Sequence, residues 1–303
     1  MKSLEALTAE IESIEDLQSV VKTMKALAMV SIRQYETAVA ALSDYNRTVE
    51  MGLQILLRHR YFSEQPIMLP QGLTNHKKNQ ILGVIIFGSD HGLCGQFNEQ
   101  IASYALEQIN QQPHKPENII VAAVGDRLIP YLEAAKQPVS AQFNLPNSVT
   151  VITPMVQEIL LMIESWQFSS FDQIILFYNK SLSSASYRPQ SVQLLPMNAE
   201  WLQRLEKQAW HGEGLPSFTM NWDDLFSSLV RQYLFVSLYR AFAESLKSEN
   251  NSRLSSMQAA QKNIEERLTE LNSQHRHQRQ SSITSELLDI VSGFEALNST
   301  KKS

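Results

Sequence analysis

No proline interrupts the chain before Pro66 or after Pro216, and in both stretches the apolar residues return at steps of three and four. At the N-terminal end the series is Leu4, Leu7, Ile11, Ile14, Leu17, Val21, Met24 and Ala28, continuing through Tyr35, Val39, Leu42, Val49, Leu53 and Leu56. Such steps keep one helical face apolar and predict a single helix of roughly 55 residues, about 80 Å at ~1.5 Å per residue. Globular helices average only ~12 residues, so this stripe needs an equally long partner. The other end supplies one: Leu225, Leu229, Tyr233, Val236, Tyr239, Phe242 and Leu246, then Leu254, Met257, Ile264, Leu268 and Leu271, then Ile283, Leu287, Ile290, Phe294 and Leu297. Two such helices bury their stripes most simply against each other as an antiparallel coiled coil. Ala26, Ala28, Ala38, Ala40 and Ala41 are small enough to allow close approach.

Between the helices the pattern changes. Short β-branched runs at 81–87, 119–124 and 173–178 alternate with helical segments, as strands with crossover helices do. The runs are continuously apolar, which suits a sheet covered on both faces. A proline-flanked stretch from Tyr187 to Pro196 reads as an added edge strand, and Met197 to Met220 as a surface loop with its own helical turn. The expected architecture is α/β with long terminal helices. Segments 1–60 and 222–298 form the coiled coil, and 78–200 is an inserted Rossmann-like domain.

Composition narrows the function classes. With 303 residues, 43% of them hydrophobic, the chain can build about two packed domains. A net charge of -5 repels polyanions, and no basic run offsets it locally, which argues against nucleic acid. Cys94 is the one cysteine, so no intrachain disulfide forms and a reducing compartment fits. The longest apolar run, 81–87, breaks at Gly88-Ser89-Asp90, short of the ~18 residues that cross a bilayer. The first residues carry acid early and lack an apolar or Arg-rich leader, so a bacterial cytoplasmic address is expected.

The residues that invite a chemical reading are few. Gly88 to Asn98 is a glycine-rich turn between a predicted strand and a predicted helix. It has neither a following Gly-Lys-Ser/Thr nor the spacing of dinucleotide loops, so a structural turn is favoured over a phosphate cradle. Cys94 and His91 are three residues apart with no third group to orient the imidazole, a poor nucleophile and base pair. His275 and His277 flank Arg276 and point apart on a helix, which suits a solvated face better than a metal site. No cofactor or metal is expected. From Asn272 to Ser282 polar residues fill the apolar stripe of the last helix. Either the partner helix has ended there, or donors such as Arg279 and Gln280 meet another protein.

Three ordered segments carry a resemblance. Ile11 to Ala28 (IESIEDLQSVVKTMKALA), Ser89 to Asn98 (SDHGLCGQFN) and Arg279 to Leu297 (RQSSITSELLDIVSGFEAL) are together similar to the γ, or central-stalk rotor, subunits of F-type ATP synthases. The likeness runs in order from Ile11 to Leu297. It implies a coiled coil of terminal helices around an inserted α/β domain, with no catalytic residues, nucleotides being held by the α and β subunits. It further implies α and β subunits of F1, an ε subunit and a ring of c subunits as partners, with indirect membrane association at the cytoplasmic face of a bacterial inner membrane. By this resemblance Met24, Lys25, Arg279, Gln280 and Thr284 would contact a β subunit, the first two near the same collar as the others. Trp201, Glu206 and Trp210, in the loop from Met197 to Phe218, would face the c ring. Ser89, Asp90, Gly92, Leu93, Cys94, Gly95 and Asn98 would form a structural motif loop.

Departures from the family pattern concentrate at contact positions. His91 stands for an arginine, His275-Arg276-His277 for a Tyr-Asn-Lys run, and Met29 to Gln34 for a basic cluster. They suggest a divergent paralogue from an alternative sodium- or proton-translocating enzyme. Two other classes compete with the rotor: a coiled-coil adaptor with an α/β head, and a small-molecule-binding α/β domain with helical arms, which would need convergent polar groups around Gly88 to Asn98.

Overall fold

The computed structural model describes residues 3–62, 81–165, 171, 173–182, 186–210, 214 and 216–300. Its long helices are α1 (Leu4–Phe62) and α6 (Trp222–Thr300). Between them lie β1 (Leu82–Phe87), α2 (Phe97–Asn110), β2 (Ile119–Val124), α3 (Ile129–Ala134), β3 (Ala141–Phe143), α4 (Val149–Ser165), β4 (Gln173–Ser181), β5 (Tyr187–Leu195) and α5 (Ala199–Lys207). The chain divides into two compact units, residues 1–27 with 254–303, and residues 28–253.

The buried positions of α1 reveal a stricter rule than steps of three and four. Leu7 and Val21 are buried with Ile14 half-buried between them, and in the second unit Ala28, Tyr35, Leu42, Val49 and Leu56 follow. These residues recur every seventh position, the repeat on which coiled-coil seams are built. The register has consequences for residues the looser pattern had placed on the seam. Leu17 is 51% exposed, and of the five alanines only Ala28 and Ala38 are buried.

In the first unit the two helices run antiparallel, since contacts on α6 step backward as those on α1 advance. Thr8 meets His275 at 3.3 Å, Glu10 meets Arg267 at 2.9 Å and Lys25 meets Gln261 at 2.9 Å. Val21, Met257 and Ile264 form the buried seam, flanked by Ile14, Met24, Ala260 and Leu268. The seam ends where α1 begins. Thr8 already lies opposite His275, so the helix beyond has no companion within the unit, and none of residues 276–292 is buried. Ile283, Leu287 and Ile290 were expected to pack on the N-terminal helix, but they are 49%, 58% and 69% exposed.

In the second unit the sheet order is β3-β2-β1-β4-β5, parallel except for β4 with β5. Successive residues of the central strands enter opposite cores. Ile85, Phe87, Ala122, Val124, Leu176 and Tyr178 join α1, α4 and α6 on one face. Val84, Ile86, Val121, Ala123 and Phe177 join α2 and α3 on the other. Both faces are therefore covered, as the continuous apolar runs required. Tyr187–Leu195 is the edge strand expected there; the three-residue β3 carried no comparable signal.

Within this unit α6 is apolar on more than a stripe: Leu234, Val236, Leu238, Ala241, Phe242, Ala243 and Leu246 are all buried. It faces α1 on one side, with Lys247 paired to Glu36 at 3.2 Å, and the sheet on the other, where Phe242 meets Phe87 edge to face at 4.9 Å. Phe242→Ala should lower stability by about 3–5 kcal/mol in chemical denaturation, because a fully buried ring is lost from between two layers.

Candidate functional site

The turn after β1 lies at the carboxyl end of the strand where chain order reverses, the place at which open α/β sheets bind ligands. Here it is filled by the chain itself. Asn98, in the first turn of α2, accepts from the Ser89 amide at 2.9 Å and donates to the Ser89 hydroxyl at 2.8 Å. That hydroxyl donates onward to the His91 carbonyl at 2.9 Å. Asp90 accepts from the amides of Asp126 at 3.0 Å and Leu145 at 2.7 Å, tying the turn to the segments after β2 and β3. From α6, Ser252 donates to the Cys94 carbonyl at 2.6 Å, and Arg253 reaches the carbonyls of His91 and Gly92 at 3.5 and 3.4 Å.

The backbone is shaped for this closeness. A Cβ on Gly125, whose φ is +106°, would lie 2.7 Å from the Ser89 nitrogen. Gly95 and Leu93 both hold positive φ, and Leu93, which sits there without the freedom of a glycine, is 58% exposed. Gly92 faces open space. Of the motif residues, then, Ser89, Asp90, Cys94 and Asn98 turn inward to brace the crossover, while Leu93 turns outward.

Cys94 is 2% exposed, and burial first of all pushes its thiol pKa up, opposed by its contact with the Ser89 hydroxyl. The buried thiol contacts Ser89 at 3.6 Å rather than a base. It is a packed donor, not an activated nucleophile. Among the described residues no cluster of His, Cys, Asp and Glu could hold a metal ion.

Sequence reading missed the partner of this turn on α6. Glu249 is 5% exposed, 2.5 Å from the Arg253 guanidinium. Burial raises its pKa to about 7, opposed by Arg253 and reinforced by the negative charge of Asp90. Tyr35 of α1 is pushed up to about 12, mainly by burial and then by Glu249. The only sequence signal was a Glu four residues before an Arg, a spacing that ordinarily marks an exposed helical pair.

The other sequence-selected residues fall in two places. In the first unit Lys25 is half-buried beside Gln261, with Met24 packed next to the seam. Arg279 and Gln280 are exposed on the unaccompanied part of α6, and Thr284 donates back to the Gln280 carbonyl at 2.8 Å. Arg279 lies 18 residues (279 minus 261) beyond the partner of Lys25, roughly 27 Å along the helix, so the fold does not bring the two pairs to one level. In the second unit Trp201 packs on Tyr233 with ring centroids 5.2 Å apart, Glu206 offers its carbonyl to Arg58 at 3.0 Å, and Trp210 donates to the Gly214 carbonyl at 3.0 Å.

One unit is an antiparallel pair of long helices and the other a mixed sheet covered on both faces by helices, which defines an α/β protein with a coiled coil. The chain belongs to the ATP synthase family, whose model matches residues 3–297. It is 28% identical over 302 residues to an ATP synthase gamma chain of Ehrlichia canis, covering 98% of this chain and all of the relative. It is 26% identical over 299 residues to that of Rhizobium rhizogenes, with the same coverage. The fold is shared with a chain of the Euglena gracilis mitochondrial ATP synthase OSCP/F1/c-ring structure, at 17% identity and a TM-score of 0.63 over 99% of this chain and 96% of that one. A chain of the Euglena rotor structure gives a TM-score of 0.59 at 14% identity, covering 92% and 98%. The γ-chain resemblance read from the three motifs therefore holds over the whole length, and the chain is a non-catalytic member of its family.

Replacing Asn98 with leucine should cost about 1–3 kcal/mol, because the buried Ser89 amide loses its acceptor; urea midpoints measure it. For Glu249 the folded-state pKa lies above the unfolded value, so its proton is held more tightly in the fold. Its stabilising contribution is complete below about pH 4.5 and lost as pH rises through 7. Between pH 5 and 8 the unaltered protein should lose on the order of 2–3 kcal/mol relative to Glu249→Gln, read from denaturation midpoints at each pH.

Proposed function

We propose that this chain is the rotor of the central stalk of an F-type ATP synthase, coupling ion flow through a c ring to ATP synthesis or hydrolysis in a ring of α and β subunits. The observation that carries this reading is the unaccompanied part of α6. A helix with Ile283, Leu287, Leu288, Ile290 and Val291 all 49–69% exposed is solvated at a cost unless other chains cover it. The ends of other subunits closing on this part of α6 would bury that stripe.

Such a shaft needs no reactive group. Because it is asymmetric, each orientation presses differently on chemically identical sites, and rotation changes which of them binds nucleotide tightly. In this reading Met24, Lys25, Arg279, Gln280 and Thr284 contact a β subunit, with Met24 and Lys25 at a different level along the helix pair from Arg279 and Gln280. Trp201, Glu206 and Trp210 face the c ring, and an ε subunit binds alongside. Among the described residues no helix is long and apolar enough to cross a membrane, so attachment to the cytoplasmic face of a bacterial inner membrane would run through the c ring.

Affinity purification from native cells tests the assignment. Recovery of about three α and three β chains per copy of this chain, with ATP hydrolysis, supports it; a lone chain or homodimer would make the adaptor reading the better one. In the assembled complex, Arg279→Ala with Gln280→Ala should reduce ion pumping per ATP at least twofold while circular dichroism of the free chain stays unchanged. Unaltered turnover and pumping would remove the proposed β-subunit contact.

A further inference from the structure

The carbonyl end of α5 is gripped by two side chains of α1. A helix C-terminus leaves its last carbonyls without partners inside the helix. Here Arg58 donates through Nε to the Glu206 carbonyl at 3.0 Å and through Nη2 to the Gln208 carbonyl. Gln54, itself only 5% exposed, donates to the same Gln208 carbonyl at 2.7 Å. The guanidinium also places a fixed positive charge at the negative end of the α5 dipole. At the other end Asn198 caps the helix, accepting from the Trp201 amide at 3.0 Å, and Leu202 and Leu205 are buried in the core shared with α1 and α6. The short α5 is thus fastened at its start, along one face and at its end, where Gln54 and Arg58 of α1 hold it.

We propose that Arg58 and Gln54 are positioning residues of the rotor. By gripping the last turn of α5 they fix the surface that carries Trp201, Glu206 and Trp210 to the shaft helix, so that torque crosses α5 as through a rigid element. This rests on the assignment of that surface to the c ring. The packing of Leu202 and Leu205 holds one face of α5 against the core, and the two side chains that share the Gln208 carbonyl hold the residue at which the helix ends. Lysine at position 58 would keep the charge but offer its donors from a single nitrogen on a flexible stem instead of from the two spaced nitrogens of a planar fork, so it should recover the grip only in part.

The test combines two readouts on Arg58→Ala, Gln54→Ala, the double variant and Arg58→Lys. In the free full-length chain, amide exchange over 204–210 should quicken about tenfold in the double variant, with the strands β1 and β2 unchanged. In the assembled complex in vesicles, a potential-sensitive dye follows pumping of either cation. Pumping per ATP should fall at least threefold while ATP hydrolysis stays within twofold, and Arg58→Lys should lie between. Exchange that does not quicken overturns the grip. Faster exchange with undiminished pumping per ATP overturns the positioning role and leaves the rotor assignment standing. If even the unaltered chain is recovered without c subunits, the rotor assignment fails and the positioning role falls with it.

Discussion

Burial of α6 from Leu234 to Leu246 between the sheet and α1 is the contact on which the second unit depends. A helix packed on one side needs a stripe; a helix packed on two sides must be apolar nearly all round, and must contribute small residues where layers approach closely. Ala241 and Ala243 flank Phe242, which reaches the sheet at Phe87. Remove that helix and one face of the sheet faces water, while the seven-residue seam of α1 loses its partner. Within the second unit, α6 is therefore part of the core of the α/β layer.

The same helix closes the sheet's ligand crevice. Ser252 and Arg253 bind the carbonyls of the turn after β1, and Glu249 is buried beside them. A glycine-rich turn at a topological switch point would ordinarily stand open to a phosphate or a nucleotide. In this chain the side chains of Ser89, Asp90 and Asn98 and the carbonyls of His91, Gly92 and Cys94 are engaged in internal contacts. Burying a carboxylate against a single guanidinium costs desolvation that the pair does not fully recover, which explains the raised Glu249 pKa.

Much of this was legible in the sequence because periodicity reports burial directly. The proline-free ends gave the long helices, the uninterrupted β-branched runs gave a sheet covered on both faces, and the ordered motifs gave the family. What periodicity could not report was the distance over which two stripes face each other. The stripe of Ile283, Leu287 and Ile290 looks the same whether it packs on its own chain or on another, and only the end of α1 opposite His275 distinguishes the cases. For the same reason Met24 and Arg279 could be placed on facing helices but not at their true separation along them.

The sequence by itself determined the elements, their apolar faces and the absence of a familiar catalytic or phosphate-binding signature, since these follow from residue types at short spacings. The tertiary structure alone decided which residues meet across large separations: Arg253 with the turn at His91, Gln54 and Arg58 with the end of α5, and Gly125 with the backbone of Ser89. Each of these is a hydrogen bond or close approach between segments tens to hundreds of residues apart. Neither partner carries a mark of the other in its local pattern, because directional contacts are fixed by where the packed layers place the backbone.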